Sequence, residues 1–303
     1  MRQPLLFLLV ITAGLLHGLE CGAQTRIIDM HIHSYTEATF QTPALDFYGN
    51  SGSSSAELHR RQTFAEFDRY HIVKAMVCGS PESVDEWVAK DSSHRIIRGI
   101  TMDSSTDNGM DSAKFEAMIK AGKIQVFGEV GAYYGGTTLN DPVWQPYLRL
   151  CQKYDIPVAV HTDGGEPGET YTATPKARLR LGDPFLIEDV LVHYPRLRIY
   201  LMHSGEQDYE HVLRLMAHYP QLYSDLGAIL WVEPLDQRYA TEFLKAAKQE
   251  GYLNRVMYGT DQMRWPQAIG KSLRFFGKLP FLTPQDKEDI LYNNAARFLR
   301  LAP

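Results

Sequence analysis

Cysteine is scarce in this chain of 303 residues, which carries only Cys21, Cys78 and Cys151. That scarcity excludes a small scaffold held by disulfides, and a chain this long can bury a core without them. Cys78 lies in the apolar run AMVCG and Cys151 in the helical run YLRLCQKY, so both read as buried free thiols rather than metal ligands. An excess of positive charge is missing too: 31 Lys and Arg face 36 Asp and Glu, for a net charge of −5. There is no basic footprint for nucleic acid, and the expected partner is a small molecule. Nor does any shift in composition mark a second domain.

The chain opens with MRQPLLFLLVITAGLLHGLECGAQ. Arg2 supplies a short positive region, the apolar run is too short and too poorly flanked for a membrane span, and small residues stand at Cys21 and Ala23. This reads as a signal peptide, residues 1–23, cut before Gln24. Glu20 argues against lipoprotein processing at Cys21. Residues 24–303 are therefore expected as one exported domain, periplasmic or extracellular, with no stable membrane span.

From there, short apolar runs alternate with segments of helical period. The runs RIIDMHIH, VKAMVCG, IIRGITM, IQVFGEVG, IPVAVHTD, LRIYLMHSG, LYSDLGAI and RVMYGTDQ predict eight strands. Between them, segments such as SAKFEAMIKAG and PVWQPYLRLCQKYD repeat apolar residues at three and four. Repeated βα units at this length predict a (β/α)₈ TIM barrel, with a doubly wound open sheet as the competing arrangement. An internal echo supports the repeat: VLVHYPRLRIYLMH and RLMAHYPQLYSDLG both run helix, His-Tyr-Pro, strand. His193 and His218 are expected to serve helix ends. Residues 34–62, containing GNSGSSS, predict a long loop over the barrel mouth, either a lid or an insertion. Thr283-Pro284-Gln285-Asp286 predicts the start of a closing helix.

In a barrel, chemistry lies at the C-terminal strand ends. Those positions hold His31 and His33, Glu129, His161, His203 and Asp261, all metal-ligand types. His31 and His33 share one face of a strand because side chains alternate, with Ile32 on the other. Imidazoles and carboxylates without thiolate suit Zn²⁺ best, with Mn²⁺, Fe²⁺ or Co²⁺ as alternatives. Asp261 is the expected general base, able to hold an ion through one oxygen and take a proton from water with the other.

These residues carry a resemblance. HxH on the first strand, His on the fifth and sixth and Asp on the eighth resemble the amidohydrolase superfamily. The HTDGG loop, GTD and the ending LYNNAARFL are similar to its amidohydrolase-related branch, which includes carboxymuconate-semialdehyde decarboxylases and pyrone-dicarboxylate lactonases. The resemblance spans Arg26 to Leu301. It implies one ion on His31, His33, His161 and Asp261, with His203 off the metal and handling substrate. Glu129 raises a second arrangement, because binuclear members carry a bridging carboxylate on strand 4. There the residues matching His161 and His203 hold a second ion. Relatives in this branch often pair, so a homodimer is an expectation.

For substrate, Arg178 and Arg180 in the loop after strand 5 are candidates to fork a carboxylate or phosphate. Trp231 and Arg264, each just past a strand end, are candidates to line the same pocket. The expectation is a metal-dependent hydrolase of a small, carboxylated ester, lactone or amide, using Asp261 and His203. The alternatives are a non-oxidative decarboxylase on the same ligands and, more remotely, a non-catalytic metal-binding barrel.

Overall fold

The computed structural model describes residues 25–165 and 168–301. The expected signal peptide lies outside the described residues. Eight strands follow in chain order: β1 (Ile27–His33), β2 (Ile72–Cys78), β3 (Ile96–Met102), β4 (Val126–Val130), β5 (Val158–Val160), β6 (Ile199–Leu201), β7 (Leu222–Asp225) and β8 (Val256–Met257). Every neighbouring pair is parallel and the spatial order is β1 to β8 without reversal. That order rules out the doubly wound sheet, whose strand order must reverse at a switch point. The ends of the sheet meet where Met30 N–H donates to Tyr258 O at 2.9 Å and Asp261 N–H donates to His31 O at 2.8 Å. The result is a TIM barrel.

The main helices are α1 (Ala56–Tyr70), α2 (Pro81–Lys90), α3 (Ser112–Lys120), α4 (Gln145–Tyr154), α5 (Glu169–Thr172), α6 (Glu188–His193), α7 (Tyr209–His218), α8 (Pro234–Glu250), α9 (Ala268–Gly277), α10 (Pro284–Glu288) and α11 (Asn294–Leu299). Alternation along the strands sorts the core into two layers. Ile28, Met30, Met76, Val126, Ala159, Tyr200 and Met257 pack inside the barrel, closed below by Ala295 and Phe298. Ile32, Ala75, Val77, Phe127, Val158 and Leu201 face outward to the helices. In β1 the phase changes, since Met30 is inward and so are His31 and His33. The β1–β2 register shifts between Asp29 and Ile32, and this irregularity lets the apolar lower half and the polar upper half of one strand both face the axis.

His193 and His218 end α6 and α7, each ring bonded to a carbonyl of its own last turn, Asp189 O at 2.7 Å and Arg214 O at 2.9 Å. The closing helix also forms where expected, with a capping box between Thr283 and Asp286. Its Asn294 donates to Leu253 O at 2.8 Å and Val256 O at 2.7 Å, tying it to β8. Cys78 and Cys151 are buried and free.

The loop after β1 needs a correction. It ends at Ser55, and residues 56–62 belong to α1, whose first turn is capped by the Ser55 hydroxyl accepting from Leu58 N–H at 3.1 Å. The polar pattern hid this helix because it buries only a narrow stripe: Ala56, His59, Thr63 and Phe67. Residues 34–55 lie against the β8 side of the mouth. Ser53 N–H donates to Arg264 O at 2.9 Å, Gln267 Nε2 to Ser51 O at 3.0 Å, and Lys271 pairs with the buried carboxylate of Asp46. Asp46 also accepts from the backbone N–H groups of Tyr48 and Asn50, so it shapes the tip that exposes Leu45, Phe47 and Tyr48. Lys271→Met removes the only cation on that carboxylate among the described residues. We expect chymotrypsin to cut the variant faster at Phe47 or Tyr48, with little change in melting temperature; an unaltered cleavage rate would show that the loop is held by its other contacts.

Candidate metal centre

The six residues expected at strand ends converge at the mouth. Glu129 is the middle of the cluster. Its Oε2 lies 3.2 Å from His33 Nε2 and 3.5 Å from His31 Nε2. Its Oε1 lies 2.5 Å from His161 Nδ1 and 3.6 Å from His203 Nε2. One carboxylate thus divides the imidazoles into two pairs. Asp261 Oδ1 closes the first pair, 3.0 Å from His33 Nε2 and 3.6 Å from His31 Nε2, while its Oδ2 lies 4.0 Å from His203 Nδ1. His161 and His203 meet at 3.1 Å.

The donor set fits a divalent ion. Three groups of ligand atoms, His31/His203/Asp261, His31/His33/Glu129 and Glu129/His161/His203, each lie within 4.8 Å of one another. Buried His31 Nε2 and Asp261 Oδ1 have no hydrogen-bond partner among the described residues, an arrangement that is costly unless a ligand completes it. Two of the groups share Glu129, as a bridging carboxylate requires.

Electrostatics follow from packing opposite charges out of water. Burial works against ionised Asp261, yet His31 and His33 outweigh it and hold the carboxyl down at about 2. Burial likewise opposes ionised Glu129, and the His31 charge with hydrogen bonds from His161 and His203 pulls it well below the ordinary range. His203 moves the other way: burial lowers it, but Glu129 and Asp261 push it up to about 9. His31 is raised well above its usual value against burial by Asp261 and Glu129.

Several supporting residues escaped the sequence reading. Asp225, at the end of β7, is buried beside both His31 and His203. Asp29 accepts from Thr260 N–H at 2.9 Å and from the Thr260 hydroxyl, locking β1 to β8 under the site. Tyr134 Oη lies 3.4 Å from His161 Nε2, and Tyr133 stacks on the same ring at 5.3 Å between centroids. The rule that found the ligands would have found Asp225 if applied to LYSDLG; the tyrosines carry no spacing signal. The wall by β5 to β7 is acidic. Burial next to Asp163 pushes Glu206 up to about 9, and burial beside Glu233 and Asp163 lifts Asp236 to about 6.

The candidate substrate residues divide. Arg178 donates to the carbonyls of its own loop, Pro175 O at 3.0 Å and Ala177 O at 2.6 Å, and Arg180 is exposed. Neither pairs with the cluster. Trp231 is buried and donates to Thr260 O at 2.8 Å, so it braces the β8 end next to Asp261. Arg264 packs on Tyr35, a neighbour of His33. Its Cζ lies 4.5 Å over the Tyr35 ring, which stacks 6.3 Å from His33, and its buried Nε has no hydrogen-bond partner among the described residues.

A barrel with these strand-end ligands defines an amidohydrolase-type scaffold. The amidohydrolase family model (Amidohydro_2) matches residues 28–301, and the chain belongs to that family. No curated protein matches the sequence. Among solved structures, a protein described as a probable 2-pyrone-4,6-dicarboxylic acid hydrolase from Acinetobacter baumannii is 15% identical, with 91% of this chain and 100% of that one covered at a TM-score of 0.62. A 5-carboxyvanillate decarboxylase from Novosphingobium aromaticivorans, with bound manganese, is 16% identical, with 92% and 99% covered at 0.62. A TIM-barrel protein from Bordetella bronchiseptica is 19% identical, with 91% and 98% covered at 0.65. At such identities the likeness is one of fold. The family is metal-dependent, and its solved relatives include both hydrolases and decarboxylases.

Two outcomes test the centre. His31→Ala, His33→Ala and Asp261→Ala should each lose most bound metal while the barrel stays folded; if Glu129 bridges, the wild type should hold about two ions per chain and Glu129→Gln about one or fewer. One ion in both wild type and Glu129→Gln would remove the bridge. Because His203 is pushed up to about 9, it carries a proton near neutral pH, and so does His31. Metal uptake there must release protons and affinity must rise with pH until these imidazoles are neutral. Calorimetry in buffers of differing ionisation heat measures this; a binding heat that does not vary with the buffer would contradict it.

Proposed function

We propose that this chain is an exported metal-dependent hydrolase that opens a small ester, lactone or amide carrying an anionic group, and that Zn²⁺ is its ion. One observation carries the reading: Glu129 sits between two imidazole pairs with Asp261 beside the first. When bound, one or two divalent ions supply Lewis acidity toward a carbonyl oxygen and bring the pKa of water to roughly 7. Asp261 stays ionised, and its Oδ2 is turned toward His203 rather than the first pair, so it is free to take the proton of the attacking water. With a single ion on the first pair, His203 stays off the metal, and the pull of Glu129 and Asp261 lets it hold a proton that can pass to the leaving group. Two groups pushed apart in this way divide the roles of base and acid.

Arg264 is the anchor that suits an anionic substrate group. Its buried Nε has no hydrogen-bond partner among the described residues, and a guanidinium half removed from water gains from a charge-assisted bond. Export suits an enzyme that opens bonds in incoming nutrients, and a homodimer accords with this branch of the superfamily.

A decarboxylase is the second reading, favoured by His203, since a protonated imidazole over the site can also protonate carbon. Hydrolysis in ¹⁸O-water should place the label in the product acid. Release of CO₂ without label would overturn the hydrolase reading. For Arg264→Met, KM for anionic substrates should rise about 10-fold or more, from loss of about 1.5–3 kcal/mol, with neutral analogues little affected. An equal effect on both classes would make Arg264 a brace for Tyr35.

A further inference from the structure

Asp225 is fully buried at the end of β7, and its two oxygens serve two different ligand candidates. Oδ1 accepts from His203 N–H at 2.9 Å and from Gly227 N–H at 2.9 Å. Oδ2 faces His31 Nδ1 at 3.3 Å, and neither atom has a hydrogen-bond partner among the described residues, so each is open to the other. The surroundings are shaped for this contact. A Cβ on Gly227 would lie 2.5 Å from His31 Nδ1, and a Cβ on Gly259 would lie 2.9 Å from Asp225 Oδ2 and 3.1 Å from His31 Cβ. Glycine at both places lets the carboxylate and the imidazole approach from opposite sides without obstruction.

We propose that Asp225 is a positioning residue that holds His31 in the tautomer able to ligate metal and, through the same carboxylate, fixes the backbone that carries His203. This rests on the metal-centre reading above. With an ion bound, Oδ2 would accept Nδ1–H of His31, so that the lone pair of Nε2 points to Glu129 and Asp261, the groups with which it would share the ion. A carboxylate behind a ligating imidazole fixes both its tautomer and its ring plane. The link to His203 N–H means that the rotation of Asp225 away from His31 also disturbs the β6 end. The two imidazoles are therefore positioned as a unit.

The residue's chemistry makes the role separable from packing. In Asp225→Asn, the two backbone donors retain the amide oxygen at the Oδ1 place, so the NH₂ group faces His31 Nδ1. Two donors then oppose each other, and the imidazole answers by moving its proton to Nε2, where the ion would bind. Asp225→Asn should weaken metal binding by about 10–100-fold, read by calorimetry on protein first freed of metal, while the melting temperature of the metal-free form changes by only a few degrees. In the metal-loaded wild type, ¹H–¹⁵N spectra should show a slowly exchanging Nδ1–H on His31. Gly259→Ala, which keeps the carboxylate and crowds it, should weaken binding in the same direction and carries the test if Asp225→Asn does not fold. Metal affinity within twofold of wild type in either folded variant, or a rapidly exchanging Nδ1–H, would overturn the proposal. A wild type that binds no metal would overturn the centre itself, whereas a wild type that binds metal without hydrolysing esters would leave the role of Asp225 standing.

Discussion

Everything at the mouth depends on one buried carboxylate. Glu129 is nearly sealed from water, which alone would drive it to the neutral form, and it stays ionised because imidazole nitrogens approach both of its oxygens. A buried charge is tolerated only when opposite charge and hydrogen bonds surround it. The cluster is thus interdependent: the imidazoles need the carboxylates to hold their charge, and the carboxylates need the imidazoles to keep theirs. An ion would take over the positive share and free the protons.

This arrangement shapes the structure around it. The upper ends of β1 and β8 are locked by Asp29 and Thr260, and the β6 and β7 ends by Asp225, so polar bonds replace apolar packing where the barrel opens. Below, Met30, Tyr200 and Met257 fill the axis and Phe298 seals the floor. Rigidity therefore comes from two sources at the two ends. The apolar half supplies stability through burial, and the polar half holds ligands in place at some cost to it.

The wall chemistry separates the candidate substrate residues. Arg178 and Arg180 share a loop with many carbonyls and little cover, and a guanidinium in such a place bonds its own backbone or water. Arg264 has a ring beneath it and a buried nitrogen without a hydrogen-bond partner among the described residues, so it is held beside the ring that neighbours His33. Opposite, Asp163, Glu206 and Asp236 crowd together, and the proton retained by Glu206 makes that wall a hydrogen-bond donor as well as an acceptor. Tyr133 and Tyr134 supply ring faces beside His161, and Tyr35 does so beside His33.

Much of this was legible from residue order, because alternation and strand-end position are local properties. The βα rhythm determined the barrel, HxH determined that His31 and His33 share a face, and Glu129, His161, His203 and Asp261 stood at equivalent strand ends. Local signals failed where distance in space mattered. The helix at residues 56–62 was hidden by a polar sequence whose thin apolar stripe meets the core only after folding. Arg178 and Arg264 look alike in sequence, and only the fold decided which guanidinium lies over Tyr35. That Glu129 divides four imidazoles between its two oxygens, and that Asp225 reaches both His31 and His203, arises from strands far apart in the chain brought to one axis. The sequence by itself determined which chemical groups would stand at the mouth; tertiary structure decided which of them touch, because barrel closure sets those distances and no local pattern encodes it.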